Sequence, residues 1–343
     1  MQLSLEALLS MSPEQALLRV CNTSHVSGAL CRGIADHVFS LRFKNPGLME
    51  RWGRVANAAA LKTGDPDAAG IACAHFGNSL RVNGDCDAPF GLLDRAEELL
   101  PSPHPIIHEF RASLLLACRD FNGALSELRK AEKMRSASGD RIGLAKVLMQ
   151  AGMVYDFQQQ PGDAARMLEQ SIELLIQCGT EGRELLVIAL QNLGDCLISD
   201  GQLGKARALL NAIEEPFAAT GEVNALKMMW LQGRLESYAA ADNEARKLLE
   251  AARAGFREQN MRREVAFISL HLAALHYQFG RYATSVREAL KVRVDLEVLG
   301  LDQDTEVTDL LGQIATRSVD LERALVTLTS AVSRSRQKRP TSV

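Results

Sequence analysis

Seven histidines and seven cysteines are the residues of this 343-residue sequence best equipped for nucleophilic or metal chemistry. Their spacing decides whether that chemistry can occur. His104 and His108 stand four apart in PSPHPIIHEF, which on a helix would place two imidazoles on one face, half of a zinc site. Pro105 lies between them and no complete ligand set is obvious nearby, so the pair is expected to be structural or solvated. His271 and His276 are five apart and project from different faces of a helix. The cysteines (Cys21, Cys31, Cys73, Cys86, Cys118, Cys178 and Cys196) are scattered, form no C-x-x-C pair and mostly sit in apolar helical patterns. They are expected to be reduced, buried thiols acting as small hydrophobes. There is no G-x-x-x-x-G-K-S/T loop, no H-E-x-x-H and no G-x-S-x-G, and the glycine pairs in GNSLRVNG and GDCLISDG fall in helix and turn patterns rather than after a strand. The expectation is a chain with no catalytic residues, no metal and no cofactor.

Charge and composition narrow the partner. Lys plus Arg number 39 against 42 Asp plus Glu, a net charge of -3, which gives no field for non-specific nucleic-acid binding. Residues 1–45 hold only Arg19, Arg32, Arg42 and Lys44 as basic groups and show no recognition helix. The basic tail Arg334, Arg336, Lys338 and Arg339 reads as a solvated terminus. No stretch approaches 18 uninterrupted apolar residues, and MQLSLEALLSMSPEQALLRV lacks the features of a signal peptide. A cytoplasmic protein without membrane or nucleic-acid partners is predicted. Aromatics are only 5% while Leu and Ala dominate, which favours packed helices.

The helices repeat. A small residue opens successive amphipathic segments at Ala124, Ala164, Ala206, Ala245 and Ser285, in steps of 40, 42, 39 and 40 residues. Four residues after each stands Leu128, Leu168, Leu210, Leu249 or Ala289, and upstream lies a second segment with its own small residue at Ala112, Gly152, Gly194, Gly233 or Ala273. Antiparallel helices approach closely only where small residues face each other at the crossing, and the remaining apolar positions at i, i+3, i+4 and i+7 bury against the neighbouring pair. Turn signals fall at Gly84-Asp85, Asp120 to Gly123, Pro161-Gly162-Asp163, Asp200-Gly201 and Gly280-Arg281, where this scheme needs them.

The segment NLGDCLISDGQLGKARALL, Asn192 to Leu210, resembles the tetratricopeptide repeat, with its Leu-Gly, a Gly seven residues on and an Ala five further. HLAALHYQFGRYATSVREAL, His271 to Leu290, is a second good copy. The period near 40 is similar to long-period repeats of bacterial signalling and regulatory proteins. The resemblance implies an all-α, right-handed α-solenoid of antiparallel helix pairs with about 17–18 helices. Residues 1–65 read as a helical cap and a degenerate repeat in which Trp52 and Ala58 to Ala60 face the apolar side. The repeat array then covers 66–298, a last capping pair 299–337 and a basic tail 338–343. Ser12-Pro13-Glu14 marks a helix start.

In repeats of this kind the first helix of each pair lines the concave groove. Counting from each small residue, the resemblance implies a partner-binding line of Asn78, Arg81, Glu109, Met149, Met153, Gln191, Asp195, Trp230, Arg234, Leu270 and Tyr277. The Lys and Asn set with which chaperone-binding tetratricopeptide domains grip a terminal carboxylate is not reproduced. The line instead mixes adaptable methionines with Trp230 and Arg234, one turn apart and of types enriched among interface anchors. The expected function is a non-enzymatic scaffold, adaptor or regulator binding a protein segment in the groove. The alternatives are a signalling-peptide sensor that changes solenoid curvature, or an inhibitory or regulatory subunit of a larger bacterial protease or defence complex. Self-association through the terminal repeats is a further expectation.

Overall fold

A computed structural model describes residues 3–42, 45–218 and 221–298. Among the described residues there are sixteen α-helices, one 3₁₀ turn (Gly179–Gly182) and no strand. The chain falls into two compact units that divide between Asp140 and Arg141. The first holds α1 (Leu5–Leu9), α2 (Pro13–Cys21), α3 (Gly28–Ser40), α4 (Pro46–Ala60), α5 (Pro66–Val82), α6 (Ala88–Leu99), α7 (Pro105–Ala117) and α8 (Phe121–Ser138). The second holds α9 (Arg141–Phe157), α10 (Pro161–Gln177), α11 (Arg183–Ser199), α12 (Leu203–Ala218), α13 (Glu222–Tyr238), α14 (Asp242–Glu258), α15 (Arg262–Gln278) and α16 (Tyr282–Val298). The expected capping pair at 299–337 and the tail at 338–343 lie outside the described residues.

Local chemistry starts and stops these helices. Ser12 caps α2 through a reciprocal box with Gln15, and Ser4, Ser27, Asn45, Asp65 and Asp120 each accept a backbone N–H of the first turn they precede. Pro13, Pro46, Pro66, Pro105 and Pro161 occupy first-turn positions, where the missing N–H leaves no bond unmade. Within pairs the chain reverses on one left-handed residue: Gly84, Arg119, Gln159, Gly201, Ala240 or Gly280. From Arg119 onward these recur with the same 40, 42, 39 and 40 steps as the small residues. Gly201 (φ 74°) and Gly280 (φ 73°) adopt that conformation without strain, whereas Arg119, Gln159 and Ala240 hold it against their side chains.

Packing follows the repeat. A Cβ added at Gly233 would meet Leu249 Cγ at 2.9 Å, one at Gly152 would meet Leu168 Cγ at 3.1 Å and one at Gly194 would meet Leu210 Cδ2 at 3.2 Å. The first helix therefore seats its small residue against the leucine one turn past the small residue of its mate. At Ser285 the hydroxyl donates to the Ala273 carbonyl at 2.7 Å, closing the fifth crossing with a hydrogen bond. Trp52, Ala59 and Ala60 are buried in the core of the first unit, and a second core runs from Ala145 to Leu235. Cysteine exposure corrects the sequence expectation. Cys31, Cys73 and Cys196 are buried, but Cys21, Cys86 and Cys118 are exposed, because they sit at helix ends and in turns. No helix of the described residues is long and apolar enough to cross a membrane.

Candidate functional site

Polar side chains converge on the first helices of the second unit, where α9 touches α11, α11 touches α13 and α13 touches α15. Asp195 of α11 and Arg234 of α13 form an ion pair in which the arginine side chain is 6% exposed and the aspartate 43%. Gln191 and Trp230 stand four residues, one turn, before these two on the same helix faces. The Trp230 indole meets the His271 ring of α15 at 5.9 Å and the Phe256 ring of α14 at 6.3 Å. Burial, helped by the positive charge of Arg234, holds His271 well below its ordinary pKa, so the imidazole is neutral at pH 7.

These helices bury polar atoms without pairing them. Trp230 Nε1, Gln191 Nε2 and Gln150 Oε1 are buried and have no hydrogen-bond partner. A buried, unmet amide or indole group costs about 1–3 kcal/mol. These three, one each on α9, α11 and α13, are two donors and one acceptor. Their chemistry matches that of a peptide backbone: N–H groups to donate to carbonyls and a carbonyl oxygen to accept an N–H.

The other sequence-derived candidates divide by environment. Met153 is 43% exposed, one turn from the buried Met149, and Leu270 is packed at 4%. On α15 it is His271, the residue after Leu270, that meets Trp230, and on α9 Gln150, after Met149, carries the unpartnered atom. His271 and Gln150, each one place past a counted position, are polar residues of α15 and α9 that counting did not bring out. Tyr277 stacks edge-on against Tyr282 at 5.2 Å. In the first unit, Glu109 is closed into an ion pair with Arg135 at 2.7 Å. Asn78 is buried and accepts two hydrogen bonds from Arg81.

The histidine pair behaves differently from its sequence spacing. His104 caps α7, its Nδ1 accepting from the Ile106 N–H, while His108 Nδ1 lies 2.6 Å from Glu127 of α8. That carboxylate, nineteen residues away, reaches the histidine only through the packing of α7 on α8. Lys130 also bonds Glu127, at 2.6 Å. Among the described residues no group of three or more His, Cys, Asp or Glu side chains is arranged to hold a metal ion.

No family model matches the chain, and no curated protein matches it significantly. Solved structures do. A Rap protein complexed with competence and sporulation factor shares 14% identity at a TM-score of 0.63, with 89% of each chain covered. The apo form of the quorum sensor NprR from B. thuringiensis shares 10% at 0.57, covering 90% of this chain and 97% of that one. A Rap conjugation gene regulator in complex with the Phr* peptide shares 12% at 0.53, covering 91% and 96%.

Proposed function

We infer a regulatory role from the fold, an all-α array of tetratricopeptide-type helix pairs that similar bacterial regulators share over most of the chain. We propose that the chain is a non-catalytic regulator that holds an extended peptide segment against the first helices of its second unit. Trp230 and Gln191 donate to backbone carbonyls of the segment and Gln150 accepts a backbone N–H. Met153 offers an adaptable apolar contact beside them. The observation that carries this reading is the set of buried, unpartnered polar atoms on α9, α11 and α13. The similar structures support it, since two of them are described as complexes with a factor or a peptide and a third as a quorum sensor. A short free peptide is favoured over a segment of a large protein on that comparison.

The test uses a pool of synthetic hexapeptides with free termini, read by the rise in unfolding temperature and deconvoluted by mass spectrometry of retained peptides. Wild type retains specific members, and Trp230→Phe and Gln191→Met lose them by about tenfold or more each, because each removes a backbone-directed donor while keeping a side chain of similar shape. Retention of no peptide, or equal retention by both variants, rejects the proposal.

A further inference from the structure

Most of the buried and half-buried arginines among the described residues are met by a carboxylate. Among the described residues, Arg111 meets Asp94 and Glu97, Arg135 meets Glu109 and Asp140, Arg234 meets Asp195, Arg253 meets Glu288, and Arg281 meets Asp242. Arg246 lies in the field of Asp242. Arg42 rests over the Phe39 ring at 3.9 Å and donates to the Phe39 carbonyl at 3.1 Å. Arg81, in the last turn of α5, has no carboxylate partner, although it too is largely withdrawn from water. Burial pushes its guanidinium down to about 10, and the Cys86 thiol is the one titratable group acting against that.

The geometry around Arg81 is that of a half-filled fork. Its Nε and Nη2 donate to the same atom, Asn78 Oδ1, at 3.0 and 2.9 Å. Asn78 is 3% exposed, so this amide is a fixed support that orients the guanidinium plane. The bonds use one edge of the fork. The opposite edge, Nη1 with the outward hydrogen of Nη2, is left with two parallel N–H donors and no partner among the described residues. That edge matches a planar carboxylate, which accepts two parallel bonds from it. A neutral support and one positive charge suit a singly charged anion, whereas a phosphate dianion needs more donors and a second cation.

We propose that Asn78 and Arg81 form a binding site for a carboxylate, supplied by an acidic side chain or a chain terminus of a protein or peptide. The site lies in the first unit and does not depend on the peptide-binding reading of the second. Asn78 is a positioning residue that acts through Arg81, and the outer edge of Arg81 is the contact.

The test observes the Arg81 Nε–H cross-peak in the full chain labelled with ¹⁵N-arginine, assigned by its absence in Arg81→Lys. N-acetylglutamate α-amide is titrated at fixed ionic strength against its neutral analogue N-acetylglutamine α-amide, and inorganic phosphate is titrated separately. The carboxylate moves the peak to saturation and the neutral analogue does not. Asn78→Asp, which supplies a carboxylate from inside the protein, weakens the response by about tenfold or more, because Arg81 is then already neutralised. Equal shifts with the two amides, no shift at all, saturation by phosphate at lower concentration than by the carboxylate, or undiminished binding by Asn78→Asp each overturns the assignment.

Discussion

Trp230 and Arg234 sit one turn apart on the same helix, and only one of them meets an opposite charge. Arg234 is 5% exposed and its charge is met by Asp195, while the Trp230 indole N–H meets nothing. Stability should separate them. Arg234→Ala deletes a buried stem and strands Asp195, which is 43% exposed and partly hydrated, so about 2 kcal/mol is lost. Arg234→Met keeps the stem and should stay within about 1 kcal/mol of wild type. Trp230→Phe removes an unmet donor along with part of a ring, two terms that nearly cancel, and should also stay within about 1 kcal/mol. Urea unfolding of the three variants checks this ranking, and a Trp230→Phe chain as damaged as Arg234→Ala would show that the indole N–H is paired after all. Counting along the repeat put Gln191, Asp195, Trp230 and Arg234 on one line, and the structure pairs Asp195 with Arg234 across α11 and α13. His271 and Gln150 were not legible. On α15 and α9 counting falls one place before them, on the buried Leu270 and Met149, and spacing from the small residue does not show which neighbouring polar side chain packing brings to Trp230 or leaves unpartnered.

Helix crossings were the most legible feature of the sequence, since a close approach leaves a chemical mark: a residue with no room for a side chain. The steps of 40, 42, 39 and 40 residues reappear unchanged in the left-handed turn positions from Arg119 to Gly280. Three of those turns use Arg119, Gln159 and Ala240, residue types that give no turn signal themselves, although the Asp120 to Gly123 and Pro161-Gly162-Asp163 signals lie just past the first two. The crossings are not equally tight. At Gly233 a methyl group would press on Leu249 Cγ at 2.9 Å and on Leu248 Cβ at 3.2 Å, whereas at Gly77 the nearest atom is Leu92 Cβ at 3.3 Å. Alanine gains up to about 1 kcal/mol over glycine within a helix, which offsets the small displacement at Gly77 but not the overlap at Gly233. Gly77→Ala should therefore be near neutral, and Gly233→Ala should cost about 1–3 kcal/mol. Midpoints of urea unfolding measure both, and the reverse order would mean that α13 and α14 can separate more easily than α5 and α6.

Each unit carries a histidine that folding keeps uncharged, and together they set how the molecule responds to acid. His75 lies edge-on between the rings of Phe39 and Phe110, each at 5.3 Å, with its Nδ1 buried and unpartnered. Burial first, then the nearby charges of Arg42 and His104, takes its pKa down to about 4. His271 in the second unit is lowered in the same way by burial and Arg234, and His37, His104 and His276 shift in the same direction. Above pH 6.5 the folded and unfolded chains carry these imidazoles in the same neutral state, so stability does not change. Below it the unfolded chain takes up protons that the folded chain refuses, at His75 until about pH 4, so His75 makes stability fall with falling pH by about 1.4 kcal/mol per unit over that range and the other histidines act in the same direction. Carboxylates held down by ion pairs, such as Glu127 and Glu288, add their own loss only further down, as the unfolded chain begins to protonate them near pH 4.5. Between pH 6 and 5 the histidines therefore act almost alone: His75 should remove about 1.4 kcal/mol, and His271 acts in the same direction. His75→Phe keeps the aromatic contact with Phe39 and Phe110, removes the unmet nitrogen and deletes one of the protons. Its urea-unfolding free energy at pH 7 should equal or exceed that of wild type, and its decline from pH 6 to pH 5 should be shallower by about 1.4 kcal/mol. An unchanged decline would mean that His75 accepts its proton in the folded chain, which in turn would require water or an anion at Nδ1 between the two phenylalanine rings.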